Sequence, residues 1–288
     1  MTKTNPSVKD EGTDGVGAPG DELIAVGGQR IRIRYRRGTG IPLVICNGIG
    51  ASLEVFDPFV AQVDPARPIL RFDVPGTGES PPSIVPYGIP YLAWVLGRLL
   101  DRLDIGVVDI LGLSWGGALA QQFAFQNPRR CRRVVLVATG TGVLMVPGRP
   151  RVLMKMLTPR RFRDPEYGAS IADELYGGSV GTGGEQVAEL FVRQLHAGSR
   201  TGYAHQLIAG SMWTSLFALP AIRQRTLLVA GEDDPIVPMI NARIMHRLMP
   251  RATLHRHGGG HIDLITNAVE LAAVIDRFLG PVKFAGSH

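Results

Sequence analysis

The sequence contains little cysteine: Cys46 and Cys131 are the only two among its 288 residues. Two cysteines do not form a disulfide framework, which excludes the small secreted domains that depend on one. Both cysteines lie in or beside segments that are expected to be regular and buried. We expect them to be reduced structural residues of a cytoplasmic protein.

Lysine is scarce as well, because it occurs only at Lys3, Lys9, Lys155 and Lys283, and arginine supplies nearly all of the positive charge. The formal net charge is +6 and the isoelectric point is about 9.7. The arginines are scattered along the chain and do not accompany a recognisable nucleic-acid-binding module. We therefore expect most of the arginines to be solvated surface residues, and we expect no nucleic-acid partner.

Long hydrophobic runs are also missing. No apolar stretch approaches the roughly 20 residues that a transmembrane helix needs, so no transmembrane segment is expected. Residues 1–20 are polar and rich in glycine and proline, and they lack the apolar core of a signal peptide. This composition predicts a disordered tail.

Strand-like and helix-like segments alternate along the rest of the chain. Residues 22–38 predict a two-strand hairpin that turns at Gly27–Gly28. Further strands are predicted within 41–48, 68–76, 107–111, 133–139, 226–231 and 252–257, and helices within 53–63, 90–103, 115–126, 240–249 and 267–279. This alternation indicates an α/β protein with a mostly parallel, doubly wound sheet.

Residues 140–220 interrupt the alternation, since they contain several helical stretches and no clear strand. Ligands of open α/β sheets bind beyond the carboxyl ends of the strands. We therefore predict a helical cap at 140–220, which lies over those ends and is inserted into a core formed by residues 21–139 and 221–282.

The stretch GLSWGG at residues 112–117 places one serine between a predicted strand and a predicted helix. Glycines around it allow strand and helix to approach closely while the serine takes a strained backbone conformation. This arrangement matches the nucleophile elbow, whose pattern is Gly-x-Ser-x-Gly. Ser114 is the predicted nucleophile, and its hydroxyl then needs a base that a carboxylate orients.

Two later strands run into loops that supply these groups. One strand ends in GGGH, which places His261 in a glycine-rich turn, and another ends in GEDDPIVP, which offers Glu232, Asp233 and Asp234. Parallel strands end at the same edge of a sheet, so these side chains are expected beside Ser114. The chain order serine, acid, histidine is that of α/β-hydrolases.

A serine mechanism also needs two donors for the oxyanion. One is expected from the backbone N–H of Trp115, which follows the nucleophile. The other is expected from the glycine-bearing loop NGIGAS at 47–52, where the N–H of Ile49 is the candidate. A second glycine-rich loop, DVPGTGES at 73–80, lacks the lysine and spacing of a phosphate loop, so Asp73 is predicted to bond neighbouring backbone.

The histidines of HRHGGGH at 255–261 also have a spacing found among metal ligands. No matching set of cysteines accompanies them, and the serine mechanism already accounts for His261. We therefore expect neither a metal nor an organic cofactor.

The elbow, NGIGAS, FDVPGTGES, GEDDPIVP and GGGH together resemble the α/β-hydrolase superfamily. More narrowly, GLSWGGALAQQFA, NGIGAS and the cap stretches MVPGRPRVL, TPRR and MWTS are similar to intracellular depolymerases of medium-chain-length polyhydroxyalkanoates, from about residue 22 to residue 280. The resemblance implies the α/β-hydrolase fold with a cap. It also implies a triad of Ser114, Asp234 and His261, with Asp233 as the alternative acid.

The resemblance further implies hydrolysis of ester bonds in a storage polyester at the surface of cytoplasmic granules, with release of 3-hydroxy acids or oligomers. Met145, Val146 and Trp213 are candidates for lining an acyl-chain channel, together with Leu153 and Met156. Three alternatives remain: a small-ester or lactone hydrolase, a carbon–carbon bond hydrolase, and a non-catalytic binding protein of the same fold.

Overall fold

The computed structural model describes residues 20–178 and 198–282. Most of the predicted tail, at 1–19, and part of the predicted cap, at 179–197, lie outside the described residues. The strands form a single sheet in the order β1-β2-β4-β3-β5-β6-β7-β8. They are β1 (Asp21–Val26), β2 (Gln29–Arg36), β3 (Leu43–Cys46), β4 (Ile69–Phe72), β5 (Val108–Leu113), β6 (Cys131–Val137), β7 (Arg225–Gly231) and β8 (Ala252–His257).

The sheet is antiparallel at one end and parallel elsewhere. Strands β1 and β2 form the predicted hairpin, and β2 pairs antiparallel with β4. The hairpin turns at Gly27 and Gly28, whose φ angles of 58° and 75° suit glycine. All pairings from β4 through β8 are parallel. The prediction of a mostly parallel sheet is confirmed.

Helices cover both faces of the sheet, as a doubly wound fold requires. They are α1 (Asp57–Gln62), α2 (Ile89–Arg102), α3 (Trp115–Gln126), α4 (Pro150–Lys155), α5 (Arg160–Arg163), α6 (Pro165–Ser170), α7 (Ala172–Tyr176), α8 (Arg200–Ser211), α9 (Met239–Leu248), α10 (Asp263–Thr266) and α11 (Ala268–Leu279). Helices α1 and α11 pack on one face, and α2, α3 and α9 pack on the other. No helix within the described ranges is long and apolar enough to cross a membrane.

The sequence explains where these elements bury their side chains. Strands β3, β4 and β5 are buried along their whole length, in keeping with their runs of valine, isoleucine and leucine. Helix α2 buries Leu92, Leu96 and Leu99 on the face that its helical spacing predicts. The predicted helix at 53–63 is a 3-10 turn followed by α1, because Pro58 lacks an N–H and fits only the first turn of a helix.

The long connection between β6 and β7, which we call the insertion, contains helices α4 to α8 in its described part. No strand occurs in the portion that the structure describes, although Gly142 and Thr214 form an isolated antiparallel bridge. That bridge joins the two ends of the insertion. The two ends of the insertion are therefore held together close to the carboxyl end of β6.

Strand order creates a crevice at the carboxyl edge of the sheet. Strand β3 lies between β4 and β5 in the sheet. The chain therefore forms β4 on one side of β3 and then crosses over to form β5 on the other side. The loops that follow β3 and β5 then diverge at a topological switch point, where α/β proteins bind ligands. These loops carry the predicted oxyanion donor Ile49 and the predicted nucleophile Ser114.

Candidate active site

Ser114 lies in a strained turn between β5 and α3. Its backbone angles are φ 53° and ψ −120°, a conformation that residues other than glycine rarely adopt. A Cβ atom on Gly112 would lie 2.4 Å from the carbonyl oxygen of Gly116, and one on Gly116 would lie 2.2 Å from that of Cys46. Both positions therefore require glycine. The turn lifts the Ser114 side chain above the carboxyl edge of the sheet.

Ser114, His261 and Asp234 form a continuous chain of polar contacts. The distance from Ser114 Oγ to His261 Nε2 is 2.8 Å, and that from His261 Nδ1 to Asp234 Oδ2 is also 2.8 Å. The Asp234 Oδ1 atom accepts hydrogen bonds from the N–H groups of Ile236 and Val237, each 2.9 Å long. These bonds fix the carboxylate, and the carboxylate fixes the imidazole beside the serine.

The two other candidate acids do not contact His261. Asp233 Oδ2 accepts a hydrogen bond of 2.8 Å from the N–H of Gly178 in the insertion. Glu232 is exposed and lies 3.8 Å from Arg256. The structure thus brings Asp234, and neither Asp233 nor Glu232, to the histidine.

The turn that carries His261 is held from two sides. The N–H of His261 donates to the carbonyl of Tyr176, 2.7 Å away, and Asp263 Oδ1 accepts from the N–H of Gly260 at 2.9 Å. Burial raises the pKa of Asp263 and lowers the pKa of His257, whose Nδ1 is 3.7 Å from Asp263.

Across the described ranges, no three His, Cys, Asp or Glu side chains are grouped to hold a metal ion.

The loop after β3 rests on the buried carboxylate of Asp73. Asp73 Oδ1 accepts a hydrogen bond of 2.7 Å from the N–H of Leu53, and Asn47 Nδ2 reaches the carbonyl of Ala51 at 3.3 Å. Asp73 also lies 3.2 Å from Arg32 Nη1. Burial raises the pKa of Asp73 to about 7, and the charge of Arg32 opposes this shift. Asp73 Oδ2 also accepts from the N–H of Glu79 in its own loop at 3.4 Å, which is the predicted kind of contact. Through Leu53, Asp73 braces the loop that carries Ile49.

Helix α8 of the insertion bonds Gly50, which follows Ile49, and the side chain of Trp115. Gln206, 1% exposed, accepts a hydrogen bond of 2.8 Å at Oε1 from the N–H of Gly50, which follows Ile49. The backbone carbonyl of Gln206 accepts a bond of 2.9 Å from the indole N–H of Trp115. Sequence reasoning did not single out Gln206, because nothing in its neighbourhood distinguishes it from a solvated helical glutamine.

Two cavities meet at Ser114. The larger one, of about 320 Å³, is mainly apolar, and the smaller one has a volume of about 50 Å³. Both are lined by Ile49, Ser114, Met156 and Ile236. The wall of the larger cavity also includes Trp115, Val143, Met145, Leu153, Leu157, Leu207 and Trp213. His261 and Arg161 line the smaller one.

Four of the five predicted channel residues lie in the wall of the larger cavity, namely Met145, Leu153, Met156 and Trp213, but Val146 does not. The N–H of Val146 donates to Asn241 Oδ1, and its carbonyl accepts from Asn241 Nδ2, both at 2.8 Å. These two bonds fix the backbone of Val146 on Asn241, and the residue is 41% exposed and lines neither cavity. Apolar character alone does not reveal this orientation, because it depends on a partner almost a hundred residues later in the chain.

Comparison with known proteins agrees with this geometry. The sequence profile of the alpha/beta hydrolase fold family matches residues 41–268. A poly(3-hydroxyalkanoate) depolymerase of Ectopseudomonas oleovorans is 46% identical over 253 residues, which are 87% of this chain and 89% of that protein. A 2-hydroxy-6-oxo-2,4-heptadienoate hydrolase of Pseudomonas putida is 27% identical over 258 residues, covering 84% of this chain and 90% of that protein.

Among solved structures, the enol-lactonase from Burkholderia xenovorans LB400 superposes with a TM-score of 0.78 at 23% sequence identity. The superposition covers 90% of this chain and 99% of the lactonase. Identity this low supports the fold alone. With the profile match over residues 41–268 and the depolymerase at 46% identity, the chain belongs to the α/β-hydrolase family and resembles its poly(3-hydroxyalkanoate) depolymerases.

Proposed function

We propose that this protein is a serine hydrolase that depolymerises medium-chain-length poly(3-hydroxyalkanoate) at the surface of cytoplasmic granules. The observation that carries the proposal is the chain from Asp234 through His261 to Ser114, whose serine opens into an apolar cavity of about 320 Å³. The identity of 46% to a poly(3-hydroxyalkanoate) depolymerase supports a polyester as the substrate.

The mechanism follows from the positions of these groups. His261 removes the proton of Ser114, and Asp234 stabilises the imidazolium that forms. The serine oxygen attacks the ester carbonyl, and the N–H groups of Ile49 and Trp115 stabilise the oxyanion. His261 then protonates the departing alcohol, which leaves an acyl-enzyme. Water, activated by the same histidine, releases the acid.

The larger cavity supports a substrate with medium-length side chains. Its walls are apolar side chains from the insertion, including Met145, Leu153 and Trp213. Each methylene group buried there is worth about 0.8 kcal/mol, or about fourfold in kcat/KM. We expect kcat/KM for p-nitrophenyl esters to rise from acetate to octanoate, and purified medium-chain granules to release 3-hydroxy acids. Highest turnover on acetate with no release from granules would contradict the depolymerase function.

A matched pair of variants tests whether the cavity sets this preference. Met145→Trp should narrow the cavity and move the optimum towards shorter chains. Met154→Trp should leave the optimum in place, because Met154 is exposed and is not part of the cavity wall. Fluorophosphonate labelling counts the active sites in each preparation. If the chain-length profile of Met145→Trp is unchanged, this cavity does not determine which acyl chain length the enzyme prefers.

The same reagent separates the remaining alternatives. A non-catalytic binding protein would not react with a fluorophosphonate at Ser114, whereas every serine hydrolase of this fold would. Small-ester, lactone and carbon–carbon bond hydrolases would react but would release no monomer from polyester granules. A side-by-side assay of granules, p-nitrophenyl esters and labelling therefore distinguishes the depolymerase from each of these alternatives.

Gln206 offers a test of the oxyanion donors. Gln206→Met keeps the shape of the side chain but removes the acceptor of the Gly50 N–H, so the neighbouring Ile49 N–H loses its fixed direction. We expect kcat to fall about tenfold, the value of roughly one neutral hydrogen bond, with little change in KM. Steady-state kinetics on p-nitrophenyl octanoate measure both constants.

The control is Gln224→Met, which removes another buried glutamine far from Ser114. Gln224 Nε2 donates to the carbonyl of Ala124 at 2.9 Å, at the amino end of β7. This variant should lower the melting temperature without changing kcat. An unaltered kcat in Gln206→Met would reduce Gln206 to a purely structural role.

A further inference from the structure

Arg161 in helix α5 is a buried cation without a carboxylate partner among the described residues. Its side chain is only 2% exposed. Its guanidinium donates to the hydroxyl of Tyr203 at 2.9 Å, is near the carbonyl of Thr158 at 3.4 Å, and hydrogen-bonds Tyr176. Its Nε atom is buried and has no hydrogen-bond partner. The guanidinium carbon also lies 4.2 Å from the ring centroid of Phe162 and 5.5 Å from that of Tyr203. All of these partners are neutral, so no anion among the described residues balances the positive charge.

An arrangement of this kind needs a physical reason. A guanidinium stays protonated inside a protein, and a buried charge with no counter-ion is strongly unfavourable. Arg161 lines the smaller cavity together with Ser114 and His261. Of the described residues in that wall it is the only arginine, lysine, aspartate or glutamate, and the remainder are mostly apolar. The cavity therefore presents one desolvated cation to whatever enters it.

We propose that Arg161 binds the terminal carboxylate of the polyester chain, so that the enzyme cleaves the ester bond nearest the carboxyl end and releases one 3-hydroxy acid at a time. The planar fork of an arginine matches the two oxygens of a carboxylate, which is the anionic group at the end of a polyester chain. This proposal rests on the proposed polyester hydrolysis and assigns it a direction along the chain.

The position of His261 determines which part of the substrate enters which cavity. His261 lines the smaller cavity and is not in the wall of the larger one. Since His261 protonates the departing oxygen, the alcohol portion of the ester belongs in the smaller cavity. In the terminal bond of a polyhydroxyalkanoate, that alcohol portion is a 3-hydroxy acid with a free carboxylate. The acyl carbon and its side chain belong in the larger cavity, and the rest of the polymer extends beyond it.

The chemical step is balanced. A bond forms between Ser114 Oγ and the carbonyl carbon of the penultimate unit, and the bond from that carbon to the oxygen of the terminal unit breaks. The serine proton passes through His261 to that oxygen. Arg161 holds the carboxylate throughout and exchanges no proton, and water later cleaves the acyl-enzyme.

The test uses two linear dimers of 3-hydroxyoctanoate joined by an ester bond. One dimer has a free carboxylate, and the other carries a methyl ester at the same end. Cleavage of the bond between the units is followed by chromatography. We expect kcat/KM for the free acid to exceed that for the methyl ester by about 10- to 100-fold, as one charge-assisted hydrogen-bonded pair would give.

Arg161→Gln should bring this ratio close to one. The ratio is measured within one preparation, so it does not depend on the fraction of folded enzyme. Arg160→Gln is the matched control, since Arg160 is the neighbouring residue, 62% exposed and 3.3 Å from Asp164. The control should keep the ratio of the natural protein.

Each outcome decides the question. Equal rates for the two dimers in the unsubstituted enzyme would overturn carboxylate recognition and leave ester hydrolysis standing. A preference that persists in Arg161→Gln would overturn the role of Arg161. Failure to cleave either dimer, by enzyme whose Ser114 reacts with a fluorophosphonate, would overturn both this inference and the polyester function.

Discussion

Replacement of Ser114 by alanine should lower kcat for ester hydrolysis by about 10⁶-fold, the loss that follows removal of the nucleophile in subtilisin. The acyl-enzyme cannot form without the serine oxygen, while the proposed oxyanion donors stay in place. Alanine has the same Cβ as serine, so the variant keeps the strained φ of 53° and should keep the fold. Kinetics on p-nitrophenyl octanoate and a thermal melt measure activity and folding separately.

Ser170→Ala is the control for this variant. Ser170 is exposed and its hydroxyl donates only to the carbonyl of Tyr167, at 2.8 Å. It should retain both activity and fluorophosphonate labelling, whereas Ser114→Ala should lose both. If purified, folded Ser114→Ala kept most of its activity, the serine mechanism would be wrong.

Asp234→Asn should lower kcat by about 10⁴-fold, as the corresponding change does in a serine protease. An asparagine amide donates where the carboxylate accepts, so it favours the imidazole tautomer that cannot take the proton of Ser114. The effect is specific because Asp234 lies 2.8 Å from His261 Nδ1. Steady-state kinetics of the folded variant measure the loss.

The neighbouring residue supplies the comparison. Asp233→Asn keeps an oxygen that can accept from the N–H of Gly178, so its activity should stay within a few fold of the natural protein. A larger loss of activity in Asp233→Asn than in Asp234→Asn would identify Asp233 as the triad acid. That result would contradict the contact between Asp234 and His261.

The sequence revealed those features that depend on local backbone requirements. Glycines indicate the hairpin at Gly27–Gly28 and the elbow around Ser114. Runs of β-branched residues that alternate with helical segments indicate the parallel strands. The choice between Asp233 and Asp234 depended on resemblance, because adjacent carboxylates in one loop have the same composition. Only the folded loop shows which of them points to His261.

The sequence predicted much less about the insertion, namely neither the bounds of its short helices nor which of their side chains are buried. Helices α4 to α7 have four to six residues each, too short for a hydrophobic period to show which side is buried. In the stretch TPRR, Arg160 and Arg161 look alike, yet one is solvated and the other is buried beside Ser114. Tertiary packing creates that difference, and neither residue carries a local signal of it.

The two hydrogen bonds of Gln206 limit how this protein can diversify. Helix α8 lines the larger cavity with Leu207 and Gly210, and it also bonds the loop of Gly50 and the indole of Trp115. On the proposed mechanism, substrate selectivity and turnover both depend on this one helix. A chimaera that receives the insertion of a relative would gain a new substrate range at the expense of rate, unless the incoming helix brings an acceptor to the same place. Any helix that replaces α8 must therefore also support the loop that carries Ile49, or the proposed oxyanion donor loses its fixed position.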